Sequence, residues 1–451
     1  MKKKVTAIII LLLIVVLGAG SFYGYLYYKT KNWTSLVYPG VKIGDVDISG
    51  KTLAEAKDMI ISKNQSAISK KNININTPSK TYTLNYAKIN AKYNVDEVVT
   101  QAFNYGKNLT LYEKYKLIKK PVGKVLNLKF TYDSKPVSQL IATIKKEIDS
   151  LPKNGSISRT GGNFNITADK KGYSLMNEQL EKEVLSKING DIKTPDIVVE
   201  AEIKTLLANI TKEKLQTINT TLSSFSSSFS SSAYGRSTNI TLATKSINGT
   251  LLMPGESFSF NGTVGKRTAA KGYKPAPVDI GTKVSTDYGG GICQVSTSLY
   301  NAIIRSNIKS TERNHHSIPS TYIPLGMDAT VDWGNLDYKF KNTLDFPIYI
   351  ESIVHNKKLT FNIYSNSSLN NRSYSFVNEI YAAVQPGPTT YIDDPTLLVG
   401  QVVQEQARLI GYKVRSYKDT IENGQLIKHE LISNDSYQLK AQVLRLGTKK
   451  Q

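Results

Sequence analysis

The chain contains one cysteine, Cys293, which follows three glycines, Gly289, Gly290 and Gly291, and Ile292. After it, Val295, Leu299, Ala302 and Ile303 recur at helical spacing. The pattern predicts a glycine-rich loop running into a helix, with Cys293 at or near the helix N-terminus. There the unpaired N–H groups and the helix dipole favour a thiolate over a thiol. The amides around Gly290 and Gly291, with the side-chain amide of Gln294, could hold a developing oxyanion. A thiolate nucleophile also needs an imidazole base and a group that orients the imidazole. Two of the four histidines, His315 and His316, follow in ERNHHSIPSTYIP, and MDATVDWGNLDYKF comes next. If DATVDW is extended, Asp328, Thr330 and Asp332 share one face, and Ala329, Val331 and Trp333 share the other. Cys293, then His315 or His316, then Asp328 or Asp332 is a workable Cys-His-Asp order for acyl transfer.

A plainer reading stands beside this one. Free cysteine is among the most buried residue types and often serves as a small hydrophobe. The three glycines would then mark a tight packing point, and the histidine pair a structural turn. One cysteine and two adjacent histidines lack zinc-ligand spacing, so no metal is expected, nor any other cofactor.

The elements around these residues read as α+β. NITLATKSINGT should be a helix ending at Asn248-Gly249, and FPIYIESIVHNKKLTFNIYS a set of strands. Upstream, TLSSFSSSFSSSAYGRSTN reads by composition as a flexible connector, although Phe225 and Phe229 are spaced like anchors for an ordered entry. Residues 75–205 alternate strand-like and helix-like segments, including a hairpin in NFNITADKKGYSL with Lys171-Gly172 at its turn. This region has no histidine or cysteine, so a binding or spacer role is expected. Earlier still, Thr52 and Glu55 form a capping box before LAEAKDMIISK. The last eighty or so residues are β-rich, with Asn423-Gly424 a strong hairpin signal. The expected organisation is an anchor over 1–30, an α+β region over 38–205, a connector over 206–236, the cysteine-bearing domain over 237–365 and a β-rich module over 372–451.

Composition sets the compartment. Lys2, Lys3 and Lys4 precede an uncharged stretch from Val5 to Tyr28. At about 1.5 Å per residue this spans a hydrocarbon core about 30 Å thick. Phe22, Tyr23, Tyr25, Tyr27 and Tyr28 suit an interfacial belt, and the lysines should stay in the cytoplasm. An uncut single-pass anchor through residues 5–28 is favoured over a cleaved signal peptide ending near Gly20, because no clear cleavage site appears. Either way the bulk of the chain meets the exterior, facing the wall. The formal net charge is +22, from 58 Lys and Arg against 36 Asp and Glu. Because that charge is spread along an exported chain, anionic wall polymers or lipid headgroups fit it better than nucleic acid. A single cysteine allows no intrachain disulfide, which suits a Gram-positive envelope.

At these residues the sequence resembles the VanW family, named for a gene of some vancomycin-resistance clusters. The matching stretches are LLMPGESFSFNGTVGKRT, KGYKPAPVDI, GGGICQVSTSLYNA, ERNHHS and DATVDWGNLDYKFKN. The segment from YPGVKIGDVDISGKTLAEAKDMI to about residue 205 is similar to the peptidoglycan-binding domain that often precedes VanW domains. The last eighty residues look like the β-rich tail such proteins carry. The resemblance implies His316, not His315, as the family's histidine. It implies a partner in peptidoglycan or other wall polymers, and a role in glycopeptide resistance or wall maintenance, without fixing a mechanism. Two functions are expected: a membrane-anchored wall-binding protein, or a cysteine-dependent transpeptidase, amidase or endopeptidase acting on wall peptides.

Overall fold

The computed structural model describes residues 1–280 and 283–450. It divides into two units: Met1–Pro152 with Lys171–Leu207, and Lys153–Lys170 with the chain from Ala208 onward. The first unit begins with helix α1, Lys2–Thr30, which is long and apolar enough to cross a membrane. Its apolar side chains are exposed from Val5 to Leu17, and only Leu26 and Thr30 near its end are buried.

Behind α1 the first unit has two cores. In one, Val41–Ile43 pairs antiparallel with Val46–Asp47 and parallel with Lys124–Leu126. Helices Leu53–Ile60 and Val95–Asn104 contribute Ala56, Ile60, Val98 and Val99 to that core. The expected capping box is present, with the Glu55 N–H on Thr52 Oγ1 and the Thr52 N–H on Glu55. In the other core, Asn72–Asn76 lies between Thr81–Asn85 and Ile197–Glu200, over helices Lys135–Ile148 and Asn177–Lys187. DIVVEAEI does not run as one strand; it divides into Ile197–Glu200 and Ile203–Leu206, which serve different sheets.

The hairpin expected at Lys171-Gly172 turns instead at Gly161-Gly162, whose φ angles of 59° and 84° suit a tight two-residue loop. Its strands, Ser156–Thr160 and Asn163–Thr167, belong to the second unit. There the Phe164 ring meets Tyr349 and Tyr364 edge-on at 5.5 and 5.2 Å.

In the second unit the serine-rich run is not a connector. It forms strand β1, Thr220–Ser228. Helix α2, Tyr234–Ile247, follows, then β2, Thr250–Leu252, and β3, Ser257–Ser259. Helix α3 spans Ile292–Arg305, with β4, Ser310–Glu312, β5, Lys339–Lys341, β6, Ile348–His355, and β7, Lys358–Ser365, after it. One sheet has the order β1-β7-β6-β2 and a smaller one β3-β5-β4. The serines of β1 are ordered because their hydroxyls have partners: Ser223 donates to Ala302 O, Ser226 meets Thr360, and Ser227 meets Ser298. Phe229 is buried in the core, as an anchor would be. Beyond β7 come two three-stranded sheets. One joins β8, Arg372–Val384, β11, Gly411–Glu422, and β12, Gln425–Tyr437; the other joins β9, Thr390–Leu398, β10, Val402–Gln406, and β13, Val443–Lys449. Asn423 and Gly424 turn β11 into β12 with φ angles of 51° and 78°. The α+β class with a β-rich tail therefore holds.

Gly291 has φ +97°, and a Cβ there would lie 2.8 Å from Ile240 Cγ1 and 3.0 Å from Arg236 Cγ. Gly334 has φ +87° but open space around it. Gly291→Ala should thus combine backbone strain with overpacking and cost roughly 2–4 kcal/mol, against about 1–2 kcal/mol for Gly334→Ala. Thermal unfolding of the two variants checks the order; equal shifts would contradict it.

Candidate active site

Helix α3 opens at Gly291 in the left-handed region, and Cys293 is its second residue. The Cys293 N–H is therefore among the first four of the helix, which have no intrahelical acceptor. The predicted apolar stripe, Val295, Leu299, Ala302 and Ile303, is fully buried. The other faces are buried too, and their polar side chains are spent on neighbouring segments. Ser296 Oγ donates to Ala329 O at 2.6 Å, Thr297 Oγ1 accepts the Ala329 N–H at 3.0 Å, and Asn301 Nδ2 donates to Met327 O at 2.7 Å. The helix that carries the cysteine thus grips residues 327–329 directly. Ala329 and Val331 point into the core, leaving Asp328 and Thr330 on the opposite face, as the alternation predicted.

The gripped segment contacts both the cysteine and the histidine. Thr330 Oγ1 lies 3.3 Å from Cys293 Sγ, and the Val331 carbonyl lies 3.5 Å from it. Asp328 Oδ2 accepts both the backbone N–H of His316 and the ring at Nδ1, each at 2.6 Å. This double hold fixes the imidazole and leaves Nε2 facing away from the carboxylate. The His316 ring and Cys293 are near enough to shift each other's protonation, and Tyr322 Oη lies 3.4 Å from Nε2. The other carboxylate oxygen, Oδ1, accepts from Tyr437 Oη and from Arg313 Nη2 at 3.3 Å. Arg313 also donates through Nη1 to both oxygens of Asp435 at 2.7 Å and through Nε to Asp328 O at 2.7 Å. Asp435 and Tyr437 lie on β12, so the C-terminal module braces the carboxylate.

The electrostatics follow from this geometry. Burial pushes the Cys293 thiol up, but the nearby positive charge of His316, helped by Thr330, carries it below its ordinary value. Burial pulls His316 down, yet its bond to Asp328 and the nearby Cys293 raise it to about 10. Burial raises Asp328, but the bond and charge of His316 and the Tyr437 hydroxyl hold it at about 2. The three groups favour a thiolate–imidazolium pair beside an ionised carboxylate. Such a pair can attack a carbonyl carbon and return a proton to a leaving amine.

Five residues singled out by sequence make other contacts. Gln294 is buried and donates through Nε2 to Ser227 Oγ and Ser228 O, at 3.1 and 2.9 Å, so its amide ties α3 to β1 and is not offered to an oxyanion. A Cβ on Gly290 would sit 2.6 Å from Ala276 Cβ, and Gly291 makes the approaches given above, so both glycines answer to packing. The side chain of His315 turns back to the His316 carbonyl at 2.7 Å and packs on Tyr437. Asp332 is exposed and accepts from Asn335 at 2.6 Å in a surface turn, so Asp328 alone pairs with the histidine. Sequence reasoning missed Arg313, Tyr322 and Tyr437. Arg313 carried a signal, a charge two residues before the histidine pair; Tyr437 lies too far along the chain to carry one.

A thiol held as a thiolate should alkylate with a pH–rate profile whose acid limb lies below that of free cysteine. Asp328 contributes in full above its ordinary value of 3.8 and is lost only as the pH falls toward about 2, so it does not limit the neutral range. Asp328→Asn should move the limb of Cys293 toward alkaline pH and slow alkylation near pH 7 about tenfold. Iodoacetamide kinetics across pH check this; an unshifted profile would contradict the coupling.

Comparison with known proteins matches three segments of the chain. Residues 235–364 match the family described as VanW like protein, residues 82–196 match a peptidoglycan binding domain, and residues 379–449 match the G5 domain. YoaR, an uncharacterized protein of Bacillus subtilis (strain 168), is 32% identical over 245 residues, covering 53% of this chain and 78% of YoaR. The vancomycin B-type resistance protein VanW of Enterococcus faecalis (strain ATCC 700802 / V583) is 28% identical over 200 residues, covering 43% of this chain and 66% of that protein. Among solved structures, the G5 domain of IgA1 protease is 21% identical with a TM-score of 0.13, covering 18% of this chain and 96% of its own. HP0197-G5 is 25% identical with a TM-score of 0.11, covering 17% of this chain and 95% of its own. The β-rich tail expected from sequence is thus a G5 domain, and the module order is that of a cell-wall-associated protein. The chain belongs to the VanW-like family, with a peptidoglycan-binding domain ahead of its VanW-like region and a G5 domain behind it.

Proposed function

We propose that the VanW-like region is a thiol-dependent acyl-transfer enzyme acting on amide bonds of wall peptides, held at its substrate by the peptidoglycan-binding and G5 modules. The observation that carries this reading is the pairing of His316 Nδ1 with Asp328 Oδ2 at 2.6 Å, with Cys293 near enough to that imidazole for each to shift the other's protonation. In the first half-reaction the Cys293 thiolate adds to the amide carbonyl. The tetrahedral oxyanion collapses as the C–N bond breaks, and His316 gives its proton to the leaving amine. The resulting thioester is attacked by a second amine or by water, whose proton returns to His316, and the thiolate is released. Asp328 stays ionised and keeps the ring in register. The backbone N–H of Cys293 is suitably placed at the helix start to receive the oxyanion. An amine acceptor makes the protein a transpeptidase; water makes it an amidase or endopeptidase.

The same reading has α1 in the cytoplasmic membrane, with its lysine triplet inside and the chain beyond α1 on the wall side. Its exposed apolar surface and length support this. Any influence on glycopeptide susceptibility, the property in the name of the Enterococcus relative, would follow from altered wall peptides.

The full chain, solubilised in detergent and incubated with purified peptidoglycan, should change the muropeptide profile seen by mass spectrometry. Cys293→Ala should lower turnover by on the order of 10³-fold or more while wall binding persists. Unchanged turnover in Cys293→Ala, or no product from the wild type on any wall preparation, would contradict the enzyme reading and leave a binding protein.

A further inference from the structure

Arg267 lies between the short helix Phe260–Val264 and the site, and its guanidinium is only partly used. Nη1 donates to Asn261 Oδ1 at 2.7 Å. Nε and Nη2 are buried, and among the described residues neither has a hydrogen-bond partner. These two donors form one edge of the guanidinium, the parallel fork that a carboxylate accepts side-on. Burying charged donors unpaired costs free energy comparable to a lost charge-assisted hydrogen bond, so the fork is costly unless something fills it.

The surroundings show what faces the fork. The guanidinium lies 5.6 Å from the Phe260 ring centre and 5.9 Å from that of Trp333. Trp333 is itself 44% exposed, on the surface turn that Asp332 opens. Asn261, which holds Nη1, also donates to Asp332 O and Leu336 O at 3.2 and 2.9 Å, fixing Arg267 to that turn. The turn starts one residue after Val331, whose carbonyl is 3.5 Å from Cys293 Sγ. Cys293 is among the groups whose negative charge acts on Arg267, and burial pulls the guanidinium below its ordinary value despite those groups.

We propose that Arg267 is a carboxylate-binding subsite beside the thiolate, its Nε/Nη2 fork receiving a free carboxylate of the acyl-donor peptide and Trp333 forming a movable cover over the pair. The inference rests on the thiol reading above and deepens it: the donor carries a negative charge near the bond that is broken. A neutral, fully amidated peptide would be a poor donor.

Carboxylate and amide alkylating agents of equal length test this without a known substrate. With the full chain, Cys293 is alkylated by iodoacetate or iodoacetamide, and by 3-bromopropionate or 3-bromopropionamide to cover reach. In each case S–C bond formation expels the halide, and the acid-to-amide rate ratio cancels changes in thiol reactivity common to both agents. The wild-type ratio for at least one pair should exceed that of glutathione by about tenfold, with saturation by the acid. Arg267→Gln and Arg267→Lys should both bring it close to the glutathione value, because lysine keeps the charge but not the fork. Trp333→Ala should speed the acid more than the amide. A wild-type ratio equal to that of glutathione for both pairs, or one unmoved by Arg267→Gln, overturns the subsite. A ratio fully retained in Arg267→Lys overturns the fork and leaves only a general field. A Cys293 inert to every agent defeats the thiol reading itself, which separates that failure from failure of the subsite alone.

Discussion

The grip of helix α3 on residues 327–329 is the constraint on which the rest of the site depends. Ser296 and Thr297 satisfy both backbone groups of Ala329, and Asn301 takes the carbonyl of Met327. A residue whose N–H and C=O are both held cannot rotate, so its neighbours Asp328 and Thr330 are aimed by the helix that carries Cys293. Nucleophile and carboxylate are thereby set on one rigid frame, and His316 is suspended between them by two bonds to a single carboxylate oxygen. A loop-borne histidine needs such a hold, because its own segment offers little regular structure to orient it.

That frame is polar and buried, and it is stable because its charges alternate. Asp328 lies between His316 and Arg313, and Arg313 lies between Asp328 and Asp435. Removing one member of such a chain leaves a buried charge unpaired, whereas the complete chain satisfies every partner. Two of its groups, Asp435 and Tyr437, come from the G5 domain. The G5 domain therefore reaches the candidate site and helps to set its electrostatics.

Much of this was legible in the sequence, and the failures share a cause. The glycine loop, the helix start at Cys293 and the alternation from Asp328 to Val331 are local patterns, whereas the choice of His316 over His315 came from the family resemblance. Asp328 and Asp332 could not be separated on that basis, because a two-residue period places them alike; bonds from α3 and Arg313 separate them. Gln294 looked like an oxyanion donor because its partners, Ser227 and Ser228, lie in a strand whose composition suggested flexibility. The same serines left a connector and an ordered entry both open, because hydroxyls that would be solvated in a linker are here paired with α3 and β7. The hairpin near residue 170 was displaced because two adjacent glycines at 161 and 162 make a tighter turn than Lys171-Gly172.

The central claim is that Cys293 and His316 rest as a thiolate–imidazolium pair held by Asp328. Nitrogen NMR of the full chain labelled at its histidine rings tests it most directly, with His316→Gln assigning the signal. At about pH 8, above the ordinary histidine value of 6.5 and below the raised value of about 10, both ring nitrogens of His316 should carry protons. A neutral His316 ring at that pH, with one nitrogen unprotonated, would contradict the account.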